Sequence, residues 1–242
     1  MMLWYKAWCE SRTRFLFSAL TVSCACCFVV FYETEGRLAF ADTGLSYADY
    51  IGRIIYSGGV RDIFVLFSVV LGLGGLLREC AQQTACFALA LPISRGQWIR
   101  SRAAVGFIEV AMLSFLPVLL LPSASALIHE TYPLSLALRF GLLWLVCGTL
   151  FFALGFFVSV VVGGEYMAGI VSLVAVVLYS ILVDLPYVER FVPDIFDVMS
   201  GKPMPEAPLL DRTIPLLLLV TIFLTACAFV AAANRICERQ DF

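Results

Sequence analysis

The chain has 242 residues, of which 62% are apolar and only 14% are charged, and its formal net charge is −2. A soluble domain carries roughly 25% charged residues, so this chain cannot cover itself with a polar surface. The composition predicts a membrane protein. The sequence has no basic patch of the kind that binds nucleic acid, so no nucleic-acid partner is expected.

Six apolar runs are long enough to cross a bilayer, which takes about 20 mostly apolar residues in a helix. The predicted fold is all-α and polytopic, with one transmembrane domain over residues 1–242. The six spans are predicted at about 15–32, 62–77, 103–121, 138–160, 166–183 and 214–233.

The segment before the first span, "LWYKAWCESRTR", has an amphipathic pattern. Leu3, Trp4, Ala7 and Trp8 share one helical face, and most of the charged residues lie elsewhere. Because tryptophan favours the headgroup level of a membrane, the pattern predicts a short helix lying on the inner leaflet.

The distribution of lysine and arginine predicts the orientation of the spans. Nine of the sixteen basic residues fall in the segments on the N-terminal side of the membrane, which are much shorter than those on the other side. Cytoplasmic segments are the ones enriched in lysine and arginine. Both termini are therefore predicted to be cytoplasmic.

The first outside loop contains an amphipathic segment at 46–57, "SYADYIGRIIYS". Ser46, followed by Asp49 three residues later, suits a helix start. This helix either rests in the outer membrane interface or packs against the spans. Its apolar stripe recurs at helical spacing: Tyr47, Tyr50, Ile51, Ile54 and Ile55. A second mixed segment, "YVERFVPDIFDVM", lies in the long acidic stretch 184–213 and predicts a helix that lies at the membrane surface or dips into it.

Glycines mark places of close helix packing, since small residues let helix backbones approach one another in a membrane. Gly141, Gly148 and Gly155 are seven apart in the fourth span and share a face. Three more, Gly72, Gly74 and Gly75, come late in the second span. The default expectation is that their partners lie within the chain.

The sequence offers few groups for enzyme chemistry. It contains no phosphate-binding loop, no G-x-S-x-G nucleophile elbow and no H-E-x-x-H motif. Its single histidine, His129, and its cysteines lack metal-ligand spacing, so neither a metal site nor enzymatic activity is expected.

One acid, Glu109, lies inside a predicted span. It is about six residues from the cytoplasmic end, or about 9 Å at a rise of 1.5 Å per residue. An ionisable group in a membrane is a functional candidate. The alternatives are that Glu109 reaches the interface or accepts hydrogen bonds from a neighbouring helix.

The segment between the second and third spans, "RECAQQTACFALALPISR" at 78–95, combines basic flanks with an apolar middle. Pro92 ends its predicted helix, because proline disfavours the helical conformation of the residue before it. The segment is either an ordinary interfacial helix or one that docks onto another protein.

This segment resembles the cytoplasmic loop of ABC-transporter permeases of the type-2 exporter class, which reads R-E-x-x-x-G-T-x-x-x-L-L-x-x-P-[VI]-S-R. Gln83 stands at the usual glycine, and Ala88 stands at the first leucine. The six-span layout and the long last outside loop are also similar to that class. The matching residues are Arg78, Glu79, Thr84, Leu89, Pro92, Ile93, Ser94 and Arg95.

The resemblance implies that the loop 78–102 carries a coupling helix, which inserts into a groove of a separate ATPase subunit. Glu165 would lie on a smaller second contact. ATP and magnesium would bind to the ATPase, with no cofactor in this chain. Two permeases would pair as a homodimer or heterodimer in the bilayer, and the resemblance implies export across a bacterial inner membrane.

Three other functions remain open at this point. Within the same class, the haem-exporter permease of cytochrome c maturation has a similar size and span number. From a different class, a non-transporting assembly factor or membrane anchor would explain the apolar spans without an ATPase. A membrane enzyme is a third alternative, for which the catalytic residues are lacking.

Overall fold

A computed structural model describes residues 2–35, 46–73, 95–162, 164–185, 187, 194–201 and 216–239. These residues form helices and no strand, which confirms the predicted all-α class. The helices are α1 (Met2–Glu35), α2 (Tyr47–Ser57), α3 (Gly59–Gly72), α4 (Arg95–Leu127), α5 (Leu134–Val161), α6 (Glu165–Val183), α7 (Ile195–Met199) and α8 (Leu216–Arg239).

Six segments among the described residues are long and apolar enough to cross a membrane, as the sequence predicts. The second is much longer than predicted, because α2 and α3 follow one another with only Gly58 between them. The segments are Leu3–Tyr32, Tyr47–Gly72, Gly96–Leu127, Leu134–Val161, Tyr166–Val183 and Leu216–Glu238.

The N-terminal residues do not form a separate interfacial helix, and that prediction is wrong. Helix α1 runs without interruption over 34 residues, because no glycine or proline breaks it. Near its start α1 packs against α4, and Ala7 is buried there. Part of the amphipathic pattern therefore serves contact with another helix.

Helix α2 begins where the sequence predicts. The Ser46 hydroxyl accepts a hydrogen bond from the Asp49 amide at 3.2 Å, which caps the helix. Of the two interpretations left open, the structure favours packing against the spans, because Ile51, Ile55 and Tyr56 are at most 1% exposed.

Helix α5 is the centre of the bundle and packs against α3, α4 and α8. Its core contact is aromatic: the Trp144 ring lies 4.5 Å from that of Phe64 on α3. The ring of Phe140 stacks 4.1 Å from that of Tyr56 on α2. Such pairs add to the free energy that area burial alone provides.

Gly72, Gly141, Gly148 and Gly155 find their partners within the chain, as expected, whereas Gly74 and Gly75 lie outside the described residues. A Cβ added at Gly155 would lie 2.6 Å from the carbonyl oxygen of Val69, and one at Gly72 would lie 2.8 Å from the amide nitrogen of Phe156. Helices α3 and α5 therefore touch backbone to backbone at this crossing.

The mixed segment that follows α6 is only partly described. Its described part is the one-turn helix α7, which Asp194 caps by accepting from the Phe196 amide at 2.8 Å. Ile195, Val198 and Met199 are buried. This part packs onto α5 and α2, so its apolar side chains contact the bundle.

Candidate functional site

Most of the predicted docking segment lies outside the described residues: Arg78, Glu79, Thr84, Leu89, Pro92, Ile93 and Ser94. Arg95 is the first residue of α4, so residues 95–102 of the predicted loop 78–102 are helical and continuous with the third span. Glu165 is the first residue of α6. It follows Gly164, whose φ of 123° suits a tight reversal between α5 and α6.

Residues 74–94 lie outside the described residues, and Leu73, which precedes them, is hydrogen-bonded to α1. Leu73 is the C-cap of α3, and its carbonyl oxygen accepts a hydrogen bond from Arg14 Nη1 at 2.6 Å. A carbonyl at a helix end lacks an intrahelical donor. Arg14 satisfies it with a charge-assisted bond, which is stronger than a bond between neutral groups.

Helix α4, which follows residues 74–94, forms a salt bridge with the same part of α1. Glu10 Oε2 accepts from Arg102 Nη1 of α4 at 2.8 Å, and the exposed fractions of their side chains are 27% and 12%. Lys6 lies 3.8 Å from Glu10 on the other side. The Arg102 guanidinium also lies 5.7 Å from the Trp98 ring.

Glu109 lies within this cluster and is fully buried. Its Oε1 accepts a hydrogen bond from Ser11 of α1, whereas its Oε2 has no hydrogen-bond partner among the described residues. The positive charges of Arg102 and Arg14 act on it electrostatically. Of the alternatives left by the sequence, the structure favours a hydrogen bond from a neighbouring helix over a carboxylate that reaches the interface.

Together these side chains form a network, the α1 clamp, that joins three helices at the end of the bundle predicted to be cytoplasmic. The sequence identifies only Glu109 of this set. The signal for the rest is a spacing: Glu10 and Arg14 are four apart on α1, and Arg102 and Glu109 are seven apart on α4, so each pair shares a helix face. The clamp consists of Glu10, Ser11, Arg14, Arg102 and Glu109.

A cavity of about 580 Å³ lies at the opposite end of the bundle, between α3, α6 and α7. We call it the outer cavity, after the predicted orientation of the spans. Its polar lining lies where the helices begin or end: Ser57, Arg61, Asp62, Ser180, Asp184, Asp194 and Asp197. Its apolar lining comes from α3, α6 and α7: Val65, Leu66, Val69, Leu173, Val176, Val177 and Phe196.

Arg61 uses all three of its side-chain nitrogens within the protein. Its Nε and Nη2 lie 3.0 Å from Asp62 Oδ1, and its Nη1 donates to Ser200 Oγ at 3.1 Å and to the Phe196 carbonyl at 3.4 Å. Its guanidinium also lies over the Phe196 ring, 5.1 Å from the centroid. Arg61 therefore fastens α7 onto α3.

Among the described residues that line the cavity, four carboxylates and one guanidinium give a formal charge of −3. Burial raises the pKa of the Asp194 carboxyl, although the Phe196 amide bond and the Arg61 charge act the other way. The sequence offers only a weak signal for this site: Asp62 is the first residue of one predicted span, and Asp184 directly follows another.

Comparison with protein-family models and with curated proteins finds no match for this chain. Within the described part of the chain, no group of three or more His, Cys, Asp or Glu side chains is arranged to hold a metal ion. The functional argument therefore starts from the α1 clamp, the outer cavity and the segment 78–95.

Proposed function

We propose that the chain is the permease subunit of an ATP-binding-cassette exporter in a bacterial inner membrane. In this proposal a separate ATPase subunit binds ATP and magnesium, and two permeases pair as a homodimer or heterodimer. The sequence of 78–95 supports it, because eight of its residues match the coupling loop of such permeases in register. The observation that carries the proposal is the attachment of α1 to both flanks of that segment.

The attachment matters because a docked ATPase would act on the membrane helices through the ends of this segment. Its N-terminal flank is Leu73, which Arg14 holds, and its C-terminal flank is the start of α4, which Arg102 joins to Glu10. A displacement of 78–94 would therefore act on α1, α3 and α4 together. Packed helices respond to such a push as bodies that switch between discrete arrangements.

Helix α3 connects the α1 clamp with the outer cavity. It ends at Leu73 beside Arg14, and it lines the cavity from Arg61 to Val69. Its backbone meets that of α5 at Val69 and Gly72, between most of the cavity lining and Leu73. Tilting α3 about this contact would change the width of the cavity, as alternating access requires.

The test is co-purification of the tagged chain in a mild detergent, followed by an ATPase assay. We expect a nucleotide-binding subunit to co-purify with the wild type and to be lost from Glu79→Lys. The matched control is Glu130→Lys, which makes the same charge change in the connection between α4 and α5, at the other end of the bundle. It should retain the subunit.

Two results would contradict the proposal. One is purification of the chain alone under conditions that preserve other membrane complexes. The other is equal retention of the ATPase by both variants. In either case 78–95 is an interfacial helix on lipid, and the assembly-factor alternative takes precedence.

A further inference from the structure

We propose that the outer cavity binds a cationic amphiphile, with its ammonium group among the carboxylates and its single hydrocarbon tail between α3 and α6. As a statement about the export substrate, this inference rests on the proposed function. As a statement about binding, it rests on the cavity alone.

The polar end of the outer cavity favours a cation. Arg61 is paired with Asp62 and bonded to Ser200 and the Phe196 carbonyl, so its charge is already partnered within the protein. Asp62 is paired with Arg61, whereas Asp184 and Asp194 line the cavity and form no salt bridge among the described residues. Asp184 is exposed at the end of α6, where an incoming ammonium group would meet it first.

The apolar end favours a hydrocarbon tail. From Asp62 to Val69 the wall along α3 rises about 10 Å, at 1.5 Å per residue, and the lining below Asp62 is apolar on both α3 and α6. The wall is not sealed, because Leu66, Leu173 and Val177 are 42–47% exposed. A tail can therefore enter sideways from the lipid while the charged head stays at the membrane surface.

The volume selects a small ligand. Pockets that bind single small molecules span roughly 300–1,000 Å³, and the outer cavity has about 580 Å³. That is room for one amphiphile. Anionic lipids and detergents are disfavoured by the negative lining, and neutral ones gain nothing from it.

The experiment measures binding of tritiated dodecyltrimethylammonium to the purified full chain in nanodiscs of zwitterionic lipid. Submicellar dodecylphosphocholine and dodecyl maltoside serve as competitors with the same tail and no net positive charge. We expect saturable binding that both competitors displace only weakly. Equal displacement by the maltoside would mean that the cavity holds a tail without regard to charge, and this would overturn the inference.

Two pairs of variants test the two ends of the outer cavity. Asp184→Asn with Asp194→Asn should weaken binding at least about fivefold, the effect of losing two partly exposed charge pairs. The control, Asp49→Asn with Glu130→Gln, removes the same charge at the same end of the bundle, away from the cavity lining. Val177→Trp fills the apolar wall and should abolish saturable binding, whereas Val220→Trp on the exposed face of α8 should not.

Equal effects of a test variant and its control would overturn the inference. The outcome is separable from that of the proposed function, because binding is measured without an ATPase. Charge-selective binding by a chain that recruits no ATPase would support the cavity and reject the exporter. Recruitment of an ATPase without charge-selective binding would support the exporter and reject the proposed cation site.

Discussion

Glu10 and Arg102 form a salt bridge of 2.8 Å that joins the beginning of α1 to the beginning of α4. Both side chains are largely shielded from water, so the pair is screened less than a surface pair. The bridge connects helices that are about 90 residues apart in the sequence. It links the N-terminal segment to the flank of the loop on which the proposed ATPase would act.

The first prediction concerns the strength of this bridge. Glu10→Gln and Arg102→Gln should each lower the melting temperature in detergent by about 2–4 °C, as expected for about 1 kcal/mol in a chain of this size. The double variant should lose less melting temperature than the sum of the two single variants, because the first change has already broken the bridge that the second would break. Strict additivity would mean that the two groups do not interact.

The second prediction concerns Arg14 and its bond to the Leu73 carbonyl. Arg14→Gln should increase hydrogen–deuterium exchange in peptides that cover residues 70–95, because the end of α3 loses its attachment to α1. Arg12→Gln is the matched control, since Arg12 is exposed on the same helix and the change in charge is the same. Equal exchange in the two variants would show that Arg14 does not hold this flank.

The third prediction concerns Glu109. Glu109→Gln keeps an acceptor for the Ser11 hydroxyl and fills the same volume, whereas Glu109→Ala removes both. We expect the alanine variant to lose about 2 kcal/mol of stability relative to the glutamine variant, measured by thermal unfolding. Equal stability of the two would contradict this packing role. A glutamine variant that folds but no longer exports substrate would assign Glu109 a role beyond packing.

The fourth prediction concerns the crossing of α3 and α5. Gly155→Ala should destabilise the bundle by about 1–3 kcal/mol, because its Cβ would lie 2.6 Å from the backbone oxygen of Val69. Gly59→Ala is the control, since nothing lies within 4 Å of a Cβ at that position. If Gly155→Ala unfolded at the same temperature as the control, the two helices would not be in backbone contact.

The sequence predicts the spans well because apolar length alone defines them. The fifth is predicted at 166–183, and the structure gives Tyr166–Val183. Span ends are predicted poorly where an amphipathic helix continues an apolar one. Residues 2–14 and 47–57 carry polar groups that mark them as interfacial, yet each runs into a span. Ser11 of the first segment bonds to Glu109 of α4, and Tyr56 of the second is buried.

The functional sites are harder to predict, because they join residues that are far apart in the chain. Glu109 is visible as a lone acid in a span, but its neighbour Ser11 is an ordinary serine until α1 is placed beside α4. The outer cavity combines Asp62, Asp184 and Asp194 from three elements. No periodicity within one segment reports that these acids meet, since their proximity comes from the packing of α3, α6 and α7.

The fifth prediction concerns the pH dependence that Asp194 introduces. Burial raises the pKa of its carboxyl in the folded protein above the ordinary value of 3.8. The folded state therefore holds the proton more tightly than the unfolded state, so stability falls as the pH rises from the unfolded-state pKa to the folded-state pKa. Above that window the ionised carboxylate lowers the stability of the fold.

Asp194→Asn should relieve this cost, because asparagine caps a helix about as well as aspartate and carries no charge. We expect the variant to melt at a higher temperature than the wild type at pH 7.5 and at the same temperature near pH 3.5. Asp194→Ala, which loses the bond to the Phe196 amide, should be less stable than the asparagine variant by about 1 kcal/mol at both values. If Asp194→Asn showed no advantage at pH 7.5, desolvation of this carboxylate would not oppose folding. A stabilised variant that binds the cationic probe more weakly would mean that the acid is retained for the ligand at a cost in stability.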